Sequence, residues 1–162
     1  MRLALKADPL STFIQQGLAL TLMSAGRYDE AAAYCGAQPL PAPDTDLSLE
    51  CLGRARLGQG KTDEAIQILG KTTNLRYLGY AYGRAGRRKE AEKLAEAVAP
   101  NAFSQALIYA GLGDKDRTLE ALDRVSGLGA VRIGRALNSP EFALVRGDPR
   151  ATALRKRVGL PE

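Results

Sequence analysis

Two cysteines, eighteen carboxylates and no histidine bound the chemistry open to this chain of 162 residues. Without imidazole there is no Ser-His-Asp or Cys-His relay, and no zinc site that draws on histidine. Two thiols fall short of a thiolate zinc cage or a disulfide framework. Cys35 and Cys51 also lack CxxC spacing, so both are expected as buried, inert, reduced thiols. The glycine runs GLGDK and SGLGAVRIGRAL do not spell a G-x-x-x-x-G-K-[ST] phosphate loop, and neither follows a recognisable strand. Carboxylates are plentiful, but no pair stands out from the charges of solvent-facing helices. The expectation is a chain that is not an enzyme and holds no metal or cofactor.

What remains chemically expressive is arginine, whose planar fork pairs with carboxylates and phosphates. The net charge is +5, and it is unevenly placed. Residues 1–81 carry eight basic and eight acidic groups, whereas 82–162 carry fifteen and ten. Arg84, Arg87, Arg88, Lys89 and Lys93 form one basic patch, interrupted by Glu90, Glu92 and Glu96. Arg146, Arg150, Arg155, Lys156 and Arg157 form another in the tail. Such an asymmetry can steer an acidic partner or nucleic acid, yet no recognition helix or aromatic single-strand platform accompanies it.

The elements that must position these groups follow from an internal repeat. With Gly26, Gly60, Gly86 and Gly113 aligned, four windows share one pattern: an apolar helical stretch, a glycine corner, and a second stretch around an Asp/Glu-Ala pair. The glycines are 34, 26 and 27 positions apart, a period that belongs to helical solenoids. Seven positions before each corner stands a small residue, Ala19, Gly53, Gly79 or Ala106, where antiparallel helices can approach closely. Five positions after it come Ala31, Ala65, Ala91 and Thr118. Asp29, Glu30, Asp63, Glu64 and Asp116 open the second helices, where the positive dipole end favours them.

This pattern resembles the tetratricopeptide repeat family. Leu18-Ala19, Leu22, Gly26, Tyr28, Ala31 and the terminal Pro43 match one unit. Leu52-Gly53, Gly60 and Ala65 match a second, with Arg56 and Thr62 in place of the customary aromatic and tyrosine. Leu78-Gly79, Tyr82, Gly86 and Ala91 match a third, with Arg88 at the tyrosine position. Ala106, Tyr109, Gly113 and Leu122 match a fourth, with Thr118 replacing alanine. The resemblance implies an all-α, right-handed superhelix over residues 12–126, with four helix pairs of which the later are shortened. Residues 127–162 are expected to form an irregular segment and C-terminal capping helices. There, Ser139-Pro140 and Asp148-Pro149 read as N-caps followed by proline at the first helical position. Residues 1–11, with Ala4 and Pro9, look like the end of a preceding repeat or a cap, so the chain is expected to be part of a longer array. The whole is similar to the C-terminal repeat regions of large bacterial regulatory proteins.

Solenoids of this family line a concave groove with the first helix of each pair. In register, that places Gln16 and Leu20 in the first unit, Glu50 and Arg54 in the second, Arg76, Tyr80 and Arg84 in the third, and Phe103 in the fourth. Gln16 and Leu20 stand where family members that clamp a terminal carboxylate carry lysine and asparagine, which argues against that mode. The expected function is a non-catalytic, protein- or peptide-binding scaffold, with an acidic ligand matched to the arginines. The alternatives are a structural spacer or self-association module, and weak binding of nucleic acid or acidic partners through the basic half. No apolar stretch is long enough to span a bilayer, and no signal-peptide core follows Met1; the expected setting is cytoplasmic.

Overall fold

The computed structural model describes residues 12–37, 45–127 and 129–160, and the side chains of all of these except 12–16, 37, 45 and 135. The expected repeat remnant at 1–11 and the terminal Pro43 lie outside the described residues. Every described element is helical. In order they are α1 (Thr12–Ser24), α2 (Tyr28–Ala37), α3 (Thr45–Gly58), α4 (Thr62–Leu69), α5 (Leu75–Arg84), α6 (Arg88–Ala97), α7 (Ala102–Gly111), α8 (Lys115–Ser126), α9 (Ala130–Asn138), a 3-10 helix (Pro140–Val145) and α10 (Pro149–Arg157). They divide into two compact units, Met1–Thr73 and Asn74–Glu162.

The four aligned glycines make four copies of one corner. Their φ angles are 72° at Gly26, 77° at Gly60, 74° at Gly86 and 73° at Gly113. That left-handed conformation costs a residue with a side chain roughly 1–2 kcal/mol, which is why glycine marks the register. At the first corner the Gly26 amide donates to the Met23 carbonyl at 3.0 Å and the Arg27 amide to the Leu22 carbonyl at 2.9 Å. The same two bonds recur at Gly60–Lys61, Gly86–Arg87 and Gly113–Asp114, so two carbonyls at each helix end are satisfied in the same way. The residue after the glycine then starts the next helix. The carbonyls of Arg27, Lys61, Arg87 and Asp114 accept from the amides of Ala31, Ala65, Ala91 and Thr118. All four of those small residues are fully buried.

A charge pair completes each corner. Arg27 pairs with Glu30, Lys61 with Glu64 and Arg87 with Glu90, each three residues on, while Asp114 pairs with Arg117 in reversed polarity. Only at this fourth corner does the charged side chain also cap the helix, with the Arg117 amide donating to Asp114 Oδ1 at 3.0 Å. The first three pairs are exposed, so water screens them and each contributes little.

Alanines are prominent in the described core of the first unit. Ala19, Leu22, Met23, Ala31, Ala32, Cys35 and Ala55 form its buried cluster. Gly53 admits the Leu69 side chain and Gly58 the Tyr28 ring. The separate reduced thiols expected from the sequence are not found: Cys35 and Cys51 form a disulfide, with Cα atoms 5.7 Å apart. The 16-position separation hides this pairing. It becomes possible because α2 packs against α3 and brings the two positions within bridging distance.

In the second unit α5 packs on both α6 and α7, and α7 packs on α8. Here helices touch backbone to backbone. A methyl group on Gly83 would sit 2.5 Å from the Gly111 carbonyl carbon, and one on Gly111 would strike the Tyr80 backbone. Around this crossing lies a larger apolar core, in which Leu107, Ile108, Leu122, Val125, Ile133, Phe142 and Val145 are at most 1% exposed. The tail supplies part of it, through Phe142 and Val145. Asp148 accepts from the Arg150 amide at 3.0 Å at the start of α10. Ser139 precedes the 3-10 helix without capping it, and its hydroxyl bonds Glu141 instead.

Candidate functional site

The residues assigned to a groove fall on first helices of successive corners, and their surroundings differ. In the first unit, Leu20 packs half-buried against the apolar cluster, and the Gln16 side chain lies outside the described residues. Glu50 is buried, and Arg54, one turn further along α3, is half-buried. Cys51 sits between them in sequence, so the disulfide anchors the helix segment that carries both.

In the second unit, Arg76, Tyr80 and Arg84 follow one another at four-residue intervals along α5, which puts them in a row on one helix face. Tyr80 is buried. Its hydroxyl accepts from Arg84 Nη1 at 3.3 Å, while Arg84 itself is exposed. The Arg76 guanidinium lies over the Tyr77 ring, 5.1 Å from its centre, a cation–π arrangement that orients the fork. Phe103 is half-buried. Its ring packs on the fully buried Phe142, with centroids 5.8 Å apart, while Leu107 and Ala110 further along α7 are core residues.

A polar cleft of about 300 Å³ opens elsewhere in this unit, lined by Glu92, Ala95, Glu96, Tyr109 and Arg117. Arg117 organises it. Its Nε lies 2.7 Å from Asp114, its Nη2 3.3 Å from Glu92, and its guanidinium 4.6 Å from the centre of the Tyr109 ring. The bond to Asp114 raises the Arg117 pKa, and the Arg117 amide holds the Asp114 carboxyl below its usual range. Both shifts deepen the charge that these groups carry at neutral pH, so neither is poised to transfer a proton there. Sequence reasoning missed this cluster because its residues come from three helices. The one legible signal is the reversed polarity of the fourth corner.

Several arginines of the basic tail have partners within their own unit. Arg146 donates to the Asn138 and Ser139 carbonyls at 3.2 Å. Arg150 pairs with Asp148 and Asp116, and Arg157 with Asp123 at 2.7 Å. Arg124 donates to Gln105, whose amide nitrogen in turn donates to the Ala95 carbonyl at 3.0 Å, so one buried side chain ties three helices. Among the described residues no group of three or more His, Cys, Asp or Glu side chains is arranged to hold a metal ion. No described helix is long and apolar enough to cross a membrane.

Comparison with family models, with curated proteins and with solved structures returns no match. What the chain displays is therefore its own regularity: an all-α, multi-helix fold in which one helix–glycine–helix corner is used four times.

Proposed function

We propose that the chain is a non-catalytic scaffold of the tetratricopeptide kind, probing acidic side chains of a protein or peptide ligand with the Arg76–Tyr80–Arg84 row of α5. The observation that carries this reading is the buried Tyr80 hydroxyl holding an exposed guanidinium, that of Arg84, at 3.3 Å. A fork fixed in this way loses less freedom on pairing with a carboxylate than a free arginine does. Arg54, half-buried on α3, offers a second contact in the first unit. The module works as part of a larger protein in this reading.

The working environment is proposed from the disulfide. Such bonds persist in oxidising compartments, while the cytosol keeps thiols reduced. An oxidising setting therefore fits the Cys35–Cys51 bond better than the cytoplasmic one.

The test is a titration of a fluorescein-labelled Asp/Glu-rich peptide, read by polarisation at two salt concentrations. Wild type is expected to bind saturably. Arg84→Glu is expected to weaken binding by about tenfold or more, as the loss of a charge-assisted contact implies. Equal affinity of the two proteins overturns the assignment. Preference for a single-stranded oligonucleotide over the peptide, with a steep salt slope, supports the basic-surface alternative instead.

A further inference from the structure

The Cys35–Cys51 bond joins two helices of the first unit. Among the described residues, four of the seven in the buried cluster are alanines and Cys35 is a fifth small member, with Leu22 and Met23 supplying the larger side chains. In a unit this small, a covalent cross-link between two helices carries a large share of the stability. The two cysteines are also the chain's only ones, so no other thiol competes for either partner. Cys51 is the more accessible sulfur, half-buried where Cys35 is 5% exposed.

We propose that this bond makes the first unit redox-conditional: a dithiol reductant releases α2 from α3 and opens helices α2, α3 and α4, while the second unit keeps its structure. In the first step a reductant thiolate attacks Cys51 Sγ, breaking the Cys35–Cys51 bond and forming a mixed disulfide, with Cys35 leaving as thiolate. The reductant's second thiolate then attacks its own sulfur in that mixed disulfide and frees Cys51. The reductant is oxidised to its disulfide, and two electrons and two protons end on the cysteines. The inference stands apart from the ligand-binding proposal, because it concerns only the order of the helices.

Closing a loop of this length shifts a local opening equilibrium by about 100-fold. When opening is fast relative to cleavage, proteolysis reports that equilibrium. The experiment is limited trypsinolysis of the full chain, oxidised or treated with dithiothreitol, with fragments identified by mass. Reduction is expected to accelerate cleavage after Arg54, Arg56 and Lys61 by about 100-fold, leaving cleavage after Arg84, Arg117 and Arg124 unchanged. The Cys35→Ala/Cys51→Ala chain is expected to be cut like the reduced protein, with or without dithiothreitol. The proposal is overturned by equal cleavage of oxidised and reduced chains, by a rise shared across both units, or by a double variant as resistant as the oxidised protein. It is equally overturned if the denatured, unreduced chain takes up iodoacetamide on both cysteines.

Discussion

The first unit fastens two of its helices with a covalent bond, whereas the second lets two backbones touch. In the first, glycines make room for side chains: Leu69 fills the space at Gly53, and the Tyr28 ring that at Gly58. In the second, Gly83 and Gly111 bring α5 and α7 together with no side chain between them. Among the described residues, the second unit also buries large side chains, from Leu107 and Ile108 to Phe142 of the tail. Both units use the same corner, so the difference lies in what fills the space between corners. A repeat fixes where helices turn, and leaves open how each pair is held.

The largest effect that separates the units is expected from Phe142→Ala. Removing a fully buried ring that also supports Phe103 costs about 4 kcal/mol, and amides of the second unit alone should lose protection in hydrogen exchange. Next comes the disulfide. Replacing both cysteines by alanine is expected to lower the stability of the first unit by about 3 kcal/mol in urea unfolding and to leave the second at its original midpoint.

Glycine substitutions sharpen the contrast further. Gly83→Ala forces a methyl onto the Gly111 backbone, which cannot step aside, and is expected to cost about 2 kcal/mol. Gly53→Ala meets only the Leu69 side chain, 2.5 Å away at Cγ, and a rotamer change absorbs part of the clash, so the loss is expected to be about half as large. Thermal unfolding of the two variants gives the comparison directly.

The smallest effect is acid sensitivity. The Asp114 carboxyl is held below its usual range by the Arg117 amide and side chain. A depressed carboxyl contributes stability above its unfolded pKa of about 3.9 and loses it as pH falls through the lower folded value. Asp114→Asn keeps a capping oxygen but no titration. It is expected to make the acid limb of the second unit's stability shallower below about pH 4, with Asp148 and Glu90, also lowered by arginine, carrying the rest. Asp46, lowered by the Thr73 hydroxyl and amide, should keep that limb in the first unit, and circular dichroism with pH reads the difference.

Local chemistry was legible in the sequence; relations between helices were not. Gly26, Gly60, Gly86 and Gly113 announce the corners because each needs a positive φ within a few residues of chain. Ala31, Ala65, Ala91 and Thr118 follow from the same spacing. The α5 row could be written down, since a helix sets its own four-residue neighbours. The Cys35–Cys51 bond could not, because it depends on which face of α3 meets α2. Phe103 was placed in a groove by register, whereas its ring turns to Phe142, a residue 39 positions on in a segment with no repeat to index it. The Arg117 cluster needed three helices to be in place. The basic tail suggested a partner for the same reason: Asp116 and Asp123, which pair with Arg150 and Arg157, lie more than thirty positions away.

Native-state hydrogen exchange of the oxidised chain across a urea series tests the account most directly. It resolves, amide by amide, the free energy at which each helix opens. The account predicts two separate opening transitions. Amides of α2, α3 and α4 open at lower urea than those of α5, α7 and α8, and a reductant lowers only the first set. A single transition shared by both sets, moving as one on reduction, would contradict it.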